Sequence, residues 1–109
     1  MVTVTMTLCD GKAVGFQVRG HANCGEYGSD LVCAAISAVV QTAILGITDV
    51  LKLEAGVSIS EGDTTCILAK DTSDADLEKA QIVFDTMQKG LKSIALSRPR
   101  TLKFRMKEV

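Results

Sequence analysis

The sequence contains no tryptophan, and one residue each of tyrosine, proline and histidine among 109. Motifs built on two histidines, such as the zinc-protease helix motif, are therefore excluded. His21 is the single side chain whose ordinary titration falls near neutrality. The four cysteines, Cys9, Cys24, Cys33 and Cys66, form no Cys-x-x-Cys knuckle, which argues against a structural zinc site. Charge of either sign is not in excess. Twelve Lys and Arg against 13 Asp and Glu leave a net charge of -1, which gives no reason to expect a dedicated nucleic-acid binder, although a local basic patch is compatible with it. No apolar run reaches the ~18 residues of a membrane span without interruption. The first eight residues have neither the basic start nor the long apolar run of a signal peptide. The expectation is a cytoplasmic chain with no membrane partner, whose cysteines stay largely reduced.

What is present fits one globular domain, 1–109. The hydrophobic fraction is 47% and the charged fraction 23%, both ordinary for a folded protein, and the length suits a single core. Val2, Val4, Met6 and Leu8 alternate with Thr3, Thr5 and Thr7, the period of a half-buried strand. Asp10-Gly11 is a preferred two-residue hairpin turn. A second strand over 12–19 puts Val14, Phe16 and Val18 on one face. Glycines at 20, 25 and 28 then break all periodicity and mark a loop.

Ser29 or Asp30 is a credible N-cap for a helix over about 30–52. Apolar residues occur almost all round it, which predicts extensive burial. Gly46 within it suggests a kink or a close packing contact, and Gly56 a C-terminal stop. A second hairpin is expected around Glu61-Gly62-Asp63. A second helix spans about 73–97, with Leu77, Ala80, Phe84, Met87, Leu91 and Ile94 at spacings of three and four. Ser73 and Asp76 resemble a capping box, and Pro99 ends the helix. A last strand over 100–107 turns Leu102, Phe104 and Met106 inward and Lys103, Arg105 and Lys107 outward. The order ββαββαβ predicts an α+β two-layer sandwich: a mainly antiparallel sheet with two helices on one face.

The residues with chemical promise gather around the glycine-containing loop. His21 stands at the end of the second strand and Cys33 in the first turn of the first helix. A thiol near a helix N-terminus feels the positive end of the dipole, which favours the thiolate. An imidazole beside it can donate a proton to a leaving amine. Asp30 can orient His21 or simply cap the helix. Ser37, one turn beyond Cys33, shares its face. Plainer readings stand beside these: a cysteine among Ala, Val and Ile is a small core hydrophobe, and a histidine beside glycine is a strand-end residue. Cys9 and Cys66 fall inside strand patterns and read as structural. The Lys103, Arg105 and Lys107 row reads as a solvated, edge-protecting face, or as an electrostatic landing surface.

Gly20-His21-Ala22, followed after a short loop by Gly28-Ser29-Asp30-Leu31-Val32-Cys33-Ala34-Ala35-Ile36-Ser37, resembles the signature of the ribosomal-processing cysteine protease family. The resemblance covers essentially the whole chain. It implies a cysteine endopeptidase that removes the N-terminal extension of the bacterial large-subunit ribosomal protein L-twenty-seven, a step needed for ribosome function. It implies that Cys33 is the nucleophile and His21 the general acid/base, with Asp30 and Ser37 in supporting roles. It also implies a homodimer and a substrate-gating loop formed by Ala22, Asn23, Cys24, Gly25, Glu26, Tyr27 and Gly28. Cys24 and Tyr27 are not signature residues. No metal, cofactor or direct nucleic-acid partner is expected. The alternatives are a non-catalytic ribosome-associated binding module that uses the basic row, and a thiol switch between Cys24 and Cys33.

Overall fold

The structure, a computed structural model, describes residues 1–21 and 29–109, with the side chains of Ser29 and Asp30 outside the described set. In chain order the elements are β1 (Val2–Cys9), β2 (Lys12–Gly20), α1 (Ser29–Leu45), β3 (Ala55–Ser60), β4 (Asp63–Leu68), α2 (Asp74–Ser97) and β5 (Leu102–Glu108). The five strands form one sheet in the order β3-β4-β2-β1-β5. The β1–β2, β2–β4 and β3–β4 pairs are antiparallel. β5 returns parallel to β1, because the α2 crossover carries the chain back to the sheet's far edge. The sheet is therefore mixed, with three antiparallel pairings and one parallel.

Both helices cover the sheet face that carries Val2, Val4, Met6, Phe16, Val18, Cys66 and Leu68, and one core joins the two layers. The Phe16 and Phe84 rings meet edge to face at its centre, with centroids 6.0 Å apart. The turns follow their local chemistry. Asp10 and Gly11 both take positive φ, 52° and 79°, as a tight hairpin of this type requires. The Ser73 hydroxyl accepts the Asp76 amide at 3.2 Å and caps α2, whose buried positions are Ala80, Phe84, Met87 and Leu91.

Four expectations need correction. Val14 is not an inward residue of a regular strand. The β1–β2 register shifts between Thr7 and Leu8, which pair with Gly15 and Ala13, so Val14 is the extra residue of a bulge and Ala13 takes the inward place. The first helix is not stopped by Gly56. It passes into a π-helical turn over Gly46–Val50, and Lys52, at φ 56°, reverses the chain. Gly56 lies inside β3. The same helix is less buried than its composition suggests. Leu31–Val50 has a mean hydropathy of 2.1, yet one third of it is buried. By length and composition this stretch could cross a membrane, but here Val32, Ile36, Val40, Ala43, Ile44 and Ile47 pack into the core. Finally, Met106 is exposed, near the free end of β5, while Leu102 and Phe104 pack inward.

Candidate active site

β2 ends at Gly20, whose amide donates to the Gly62 carbonyl at 2.8 Å. His21 follows, and its own carbonyl accepts the Met1 backbone nitrogen at 2.7 Å. The strand end is thus held between the start of β1 and the β3–β4 turn. Gly62 forms that turn at φ +74°, and a Cβ placed on it would stand 2.7 Å from His21 Nε2. The turn lies flush against the imidazole, where a glycine alone leaves the ring its place.

α1 supplies the facing wall. Cys33 is its fifth residue, at the start of the second turn rather than within the first, and is half-buried. Ser37 and Gln41 follow at intervals of four on the same face. Gln41 Nε2 donates to Ser37 Oγ at 2.7 Å, which leaves the Ser37 hydroxyl proton available to another acceptor.

Between these walls lies a cleft of about 550 Å³. Its lining comprises Gly20 and His21, then Cys33, Ile36, Ser37, Val40 and Gln41 of α1, then Ile59 to Thr64 of the second hairpin, with Val2 and Val18 beneath. The structure therefore brings His21, Cys33 and Ser37 into one cavity. The Asp30 side chain lies outside the described residues, as do Ala22, Asn23, Cys24, Gly25, Glu26, Tyr27 and Gly28.

Two acids, Glu61 and Asp63, stand on the hairpin side of the cleft. Asp63 is engaged: Gln17 Nε2 donates to it at 3.2 Å and Arg19 lies 3.7 Å away. Among the described residues no group of three His, Cys, Asp or Glu is placed to hold a metal ion. The other described thiols are far less suited to chemistry. Cys9 is exposed near the outer end of β1, and Cys66 is wholly buried. Burial pushes the Cys66 thiol up to about 11, so at neutral pH it remains protonated.

Gln41 and the β3–β4 hairpin are contributors that the sequence reading passed over. Gln41 carries a usable signal, because it sits four residues beyond Ser37 and eight beyond Cys33 on one helix face. The hairpin's role depends on β4 pairing with β2, which no local pattern announces.

A thiol and an imidazole that line one open cleft are the two groups that thiol-dependent acyl transfer needs, the chemistry of the cysteine protease class. The model of the family described as cysteine protease Prp matches residues 1–103. The ribosomal processing cysteine protease Prp of Staphylococcus aureus is 33% identical over 96 residues, covering 86% of this chain and 88% of that protein. Its counterpart from Bacillus subtilis is 31% identical over 97 residues, with 86% and 87% covered. The crystal structure of the Staphylococcus aureus protease with a covalently linked product peptide matches with a TM-score of 0.81 at 28% identity, over 98% of this chain and 100% of that one. A Streptococcus mutans protein of 23% identity shares the fold, also with a TM-score of 0.81. The chain belongs to the Prp family of cysteine proteases, whose relatives here are named for ribosomal processing.

Proposed function

We propose that this protein is the endopeptidase that trims the N-terminal extension of ribosomal protein L-twenty-seven, with Cys33 as nucleophile and His21 as general acid and base. The observation that carries this reading is the shared cleft, in which a half-buried thiol from α1 and the β2-terminal imidazole face one cavity. The Staphylococcus aureus relative has been crystallised with a substrate peptide and with a covalently linked product peptide, which supports a peptide substrate here.

The steps follow from the groups present. The Cys33 thiolate attacks the scissile carbonyl, and amides at the start of α1 stabilise the oxyanion. The tetrahedral intermediate collapses to a thioester as the C–N bond breaks, and His21 gives its proton to the leaving amine. His21 then takes a proton from water, the resulting hydroxide attacks the thioester, and the thiolate is regenerated. Ser37, held by Gln41, donates toward the sulfur, and Asp30 supports His21. Catalysis takes place in the cytoplasm.

We also propose a homodimer. Leu31 and Leu45 stand exposed on one side of α1, with Ala35, Ala38 and Thr42 exposed between them, and a largely apolar strip of this kind suits a subunit contact. Sedimentation should give about twice the chain mass of 11.6 kDa; a monomer at micromolar concentration contradicts it.

The activity is tested by incubation with a peptide that spans the extension, followed by mass spectrometry. A single new amide cleavage is expected, and Cys33→Ala and His21→Ala should each abolish it without loss of the fold. Full activity in either variant rules out these roles. An intact peptide with the wild-type protein rules out the substrate.

A further inference from the structure

The near-zero net charge conceals a steep segregation along the chain. Residues 1–85 hold five cations against 12 acids, whereas residues 86–109 hold seven cations against the single acid Glu108. Folding collects much of the positive half at one edge of the sheet. β5 is that edge, and Lys103, Arg105 and Lys107 are exposed along it. They alternate with Leu102 and Phe104, which pack against the core, so they stand on the face away from the helices. Their spacing is two strand residues, about 6.6 Å per step.

The register extends this column across the open face. Lys103, Arg105 and Lys107 stand opposite Thr3, Thr5 and Thr7. Beyond Thr3 comes Arg19, whose side chain is 70% exposed and only loosely paired with Asp63 at 3.7 Å. On the helix side of the same strand, Lys92 Nζ lies 5.8 Å from the Phe104 ring centre. The face therefore offers a line of cations backed by hydroxyls. Among the described residues the large apolar side chains it exposes include Ile67 on β4 and, continuing the alternation of Lys103, Arg105 and Lys107, Val109 just past the end of β5.

We infer that the open sheet face along β5 docks the phosphate backbone of RNA. A protein partner would need a central aromatic or aliphatic anchor, and this face presents cations and hydroxyls instead. Regularly spaced Lys and Arg neutralise successive phosphates, and hydroxyls bond to phosphate and sugar oxygens. The described face has no aromatic ring to stack on bases, so recognition rests on the backbone and is independent of base sequence. The relatives' role in ribosomal processing makes RNA the polyanion at hand. Docking there holds the enzyme near ribosomal substrates and leaves the cleft between α1 and the second hairpin free.

The test is fluorescence anisotropy with a labelled short RNA duplex over a salt series, with polyglutamate as a second probe. Four phosphate contacts predict a log–log salt slope of about -3 to -4. The triple variant Lys103→Gln, Arg105→Gln, Lys107→Gln should flatten the slope by about three and weaken binding at low salt by at least about tenfold. Its peptide cleavage and melting temperature should match the wild type. Arg105→Gln alone should flatten the slope by about one, which keeps the test decisive if the triple variant folds poorly. A wild-type slope near zero, an unchanged slope in the variants, or polyglutamate binding as tight as RNA would overturn the assignment. The last outcome would assign the face to an acidic protein.

Discussion

The imidazole of His21 rests directly against the α-carbon of Gly62, 41 residues further along the chain, at a distance that leaves no room for a methyl group. The contact arises because β4 pairs with β2, which brings the second hairpin turn to the end of the strand that carries the histidine. Gly62→Ala would do two things. It would strain a backbone at φ +74° and place Cβ 2.7 Å from Nε2. Gly11 separates the two, since it has φ +79° but nothing within 4 Å of its notional Cβ. Both alanine variants should lose about 1–2 kcal/mol from the left-handed conformation. Gly62→Ala alone should lower kcat for peptide cleavage, by about 100-fold, with little change in KM, because it displaces the imidazole proposed to transfer the proton by a fraction of an ångström to an ångström. Equal kcat in the two variants would show that the contact plays no part in positioning.

Gln81 should carry more stability than a half-exposed glutamine ordinarily does. Ala13 lies next to the bulge at Val14 and beyond the end of the β2–β4 ladder, which stops at Gly15, and the Gln81 side chain takes up its backbone groups. Its Oε1 accepts the Ala13 amide at 2.9 Å, and its Nε2 donates to the Ala13 carbonyl at 2.7 Å. Gln81→Ala leaves a backbone donor and a backbone acceptor without partners, at about 1–3 kcal/mol each when buried. The part-buried setting favours the lower end, a total of roughly 2 kcal/mol. Urea unfolding should show the midpoint fall with an unchanged slope. Gln81→Glu keeps the acceptor for the amide but sets a carboxylate against the Ala13 carbonyl, so it should be at least as damaging. A shift under about 0.5 kcal/mol for both would mean that solvent serves the Ala13 backbone groups equally well.

How much of this was readable beforehand depended on whether the determinant was local. α2 was legible at both ends because Ser73 and Pro99 sit within a turn of its boundaries. That His21 and Cys33 share one cleft was legible from the motif that joins them. The Gln81 contact with Ala13 was not, because the two residues lie 68 apart in the chain. The end of α1 was misread because a leucine pair decides it. Leu51 and Leu53 pack against the core, and their amides return to Gly46 and Ile47 at 2.9 and 3.0 Å. The chain therefore leaves the helix at Lys52, well before the glycine that looked like a stop. Gly62 looked like an ordinary turn residue, and only the sheet register reveals what it touches.

Cys66 gives the stability a predictable alkaline limit. Burial raises its folded-state value to about 11, against an ordinary 9.0. Between these values the unfolded chain releases the proton while the native state keeps it, so the native state binds more protons and stability falls as pH rises. The contribution is complete below about pH 9 and is lost by pH 11. Its size is roughly 3 kcal/mol at most. Cys66→Val, close in volume and unable to ionise, should flatten the decline in denaturation free energy between pH 8 and pH 11 (approximate working limits set by the ordinary thiol range). Parallel pH profiles for the two proteins would contradict the assignment.

The two helices meet through reciprocal glycine and valine contacts. A Cβ on Gly90 of α2 would approach Val39 Cγ1 of α1 to 3.2 Å, and one on Gly46 would approach Val83 Cγ1 to 3.1 Å. Each glycine costs its helix about 1 kcal/mol in propensity relative to alanine, and close contact between the helices is what it provides in return. Gly90→Ala therefore sets a propensity gain against a steric clash, and the two terms are of similar size. A double-mutant cycle with Val39→Ala separates them. Removing the valine methyls clears the space, so Gly90→Ala should stabilise the Val39→Ala background by about 1 kcal/mol while giving little or no gain in the wild type. The coupling energy should be at least about 0.5 kcal/mol. Strict additivity of the two substitutions would mean that Val39 yields freely, and that the close approach of the helices does not depend on Gly90.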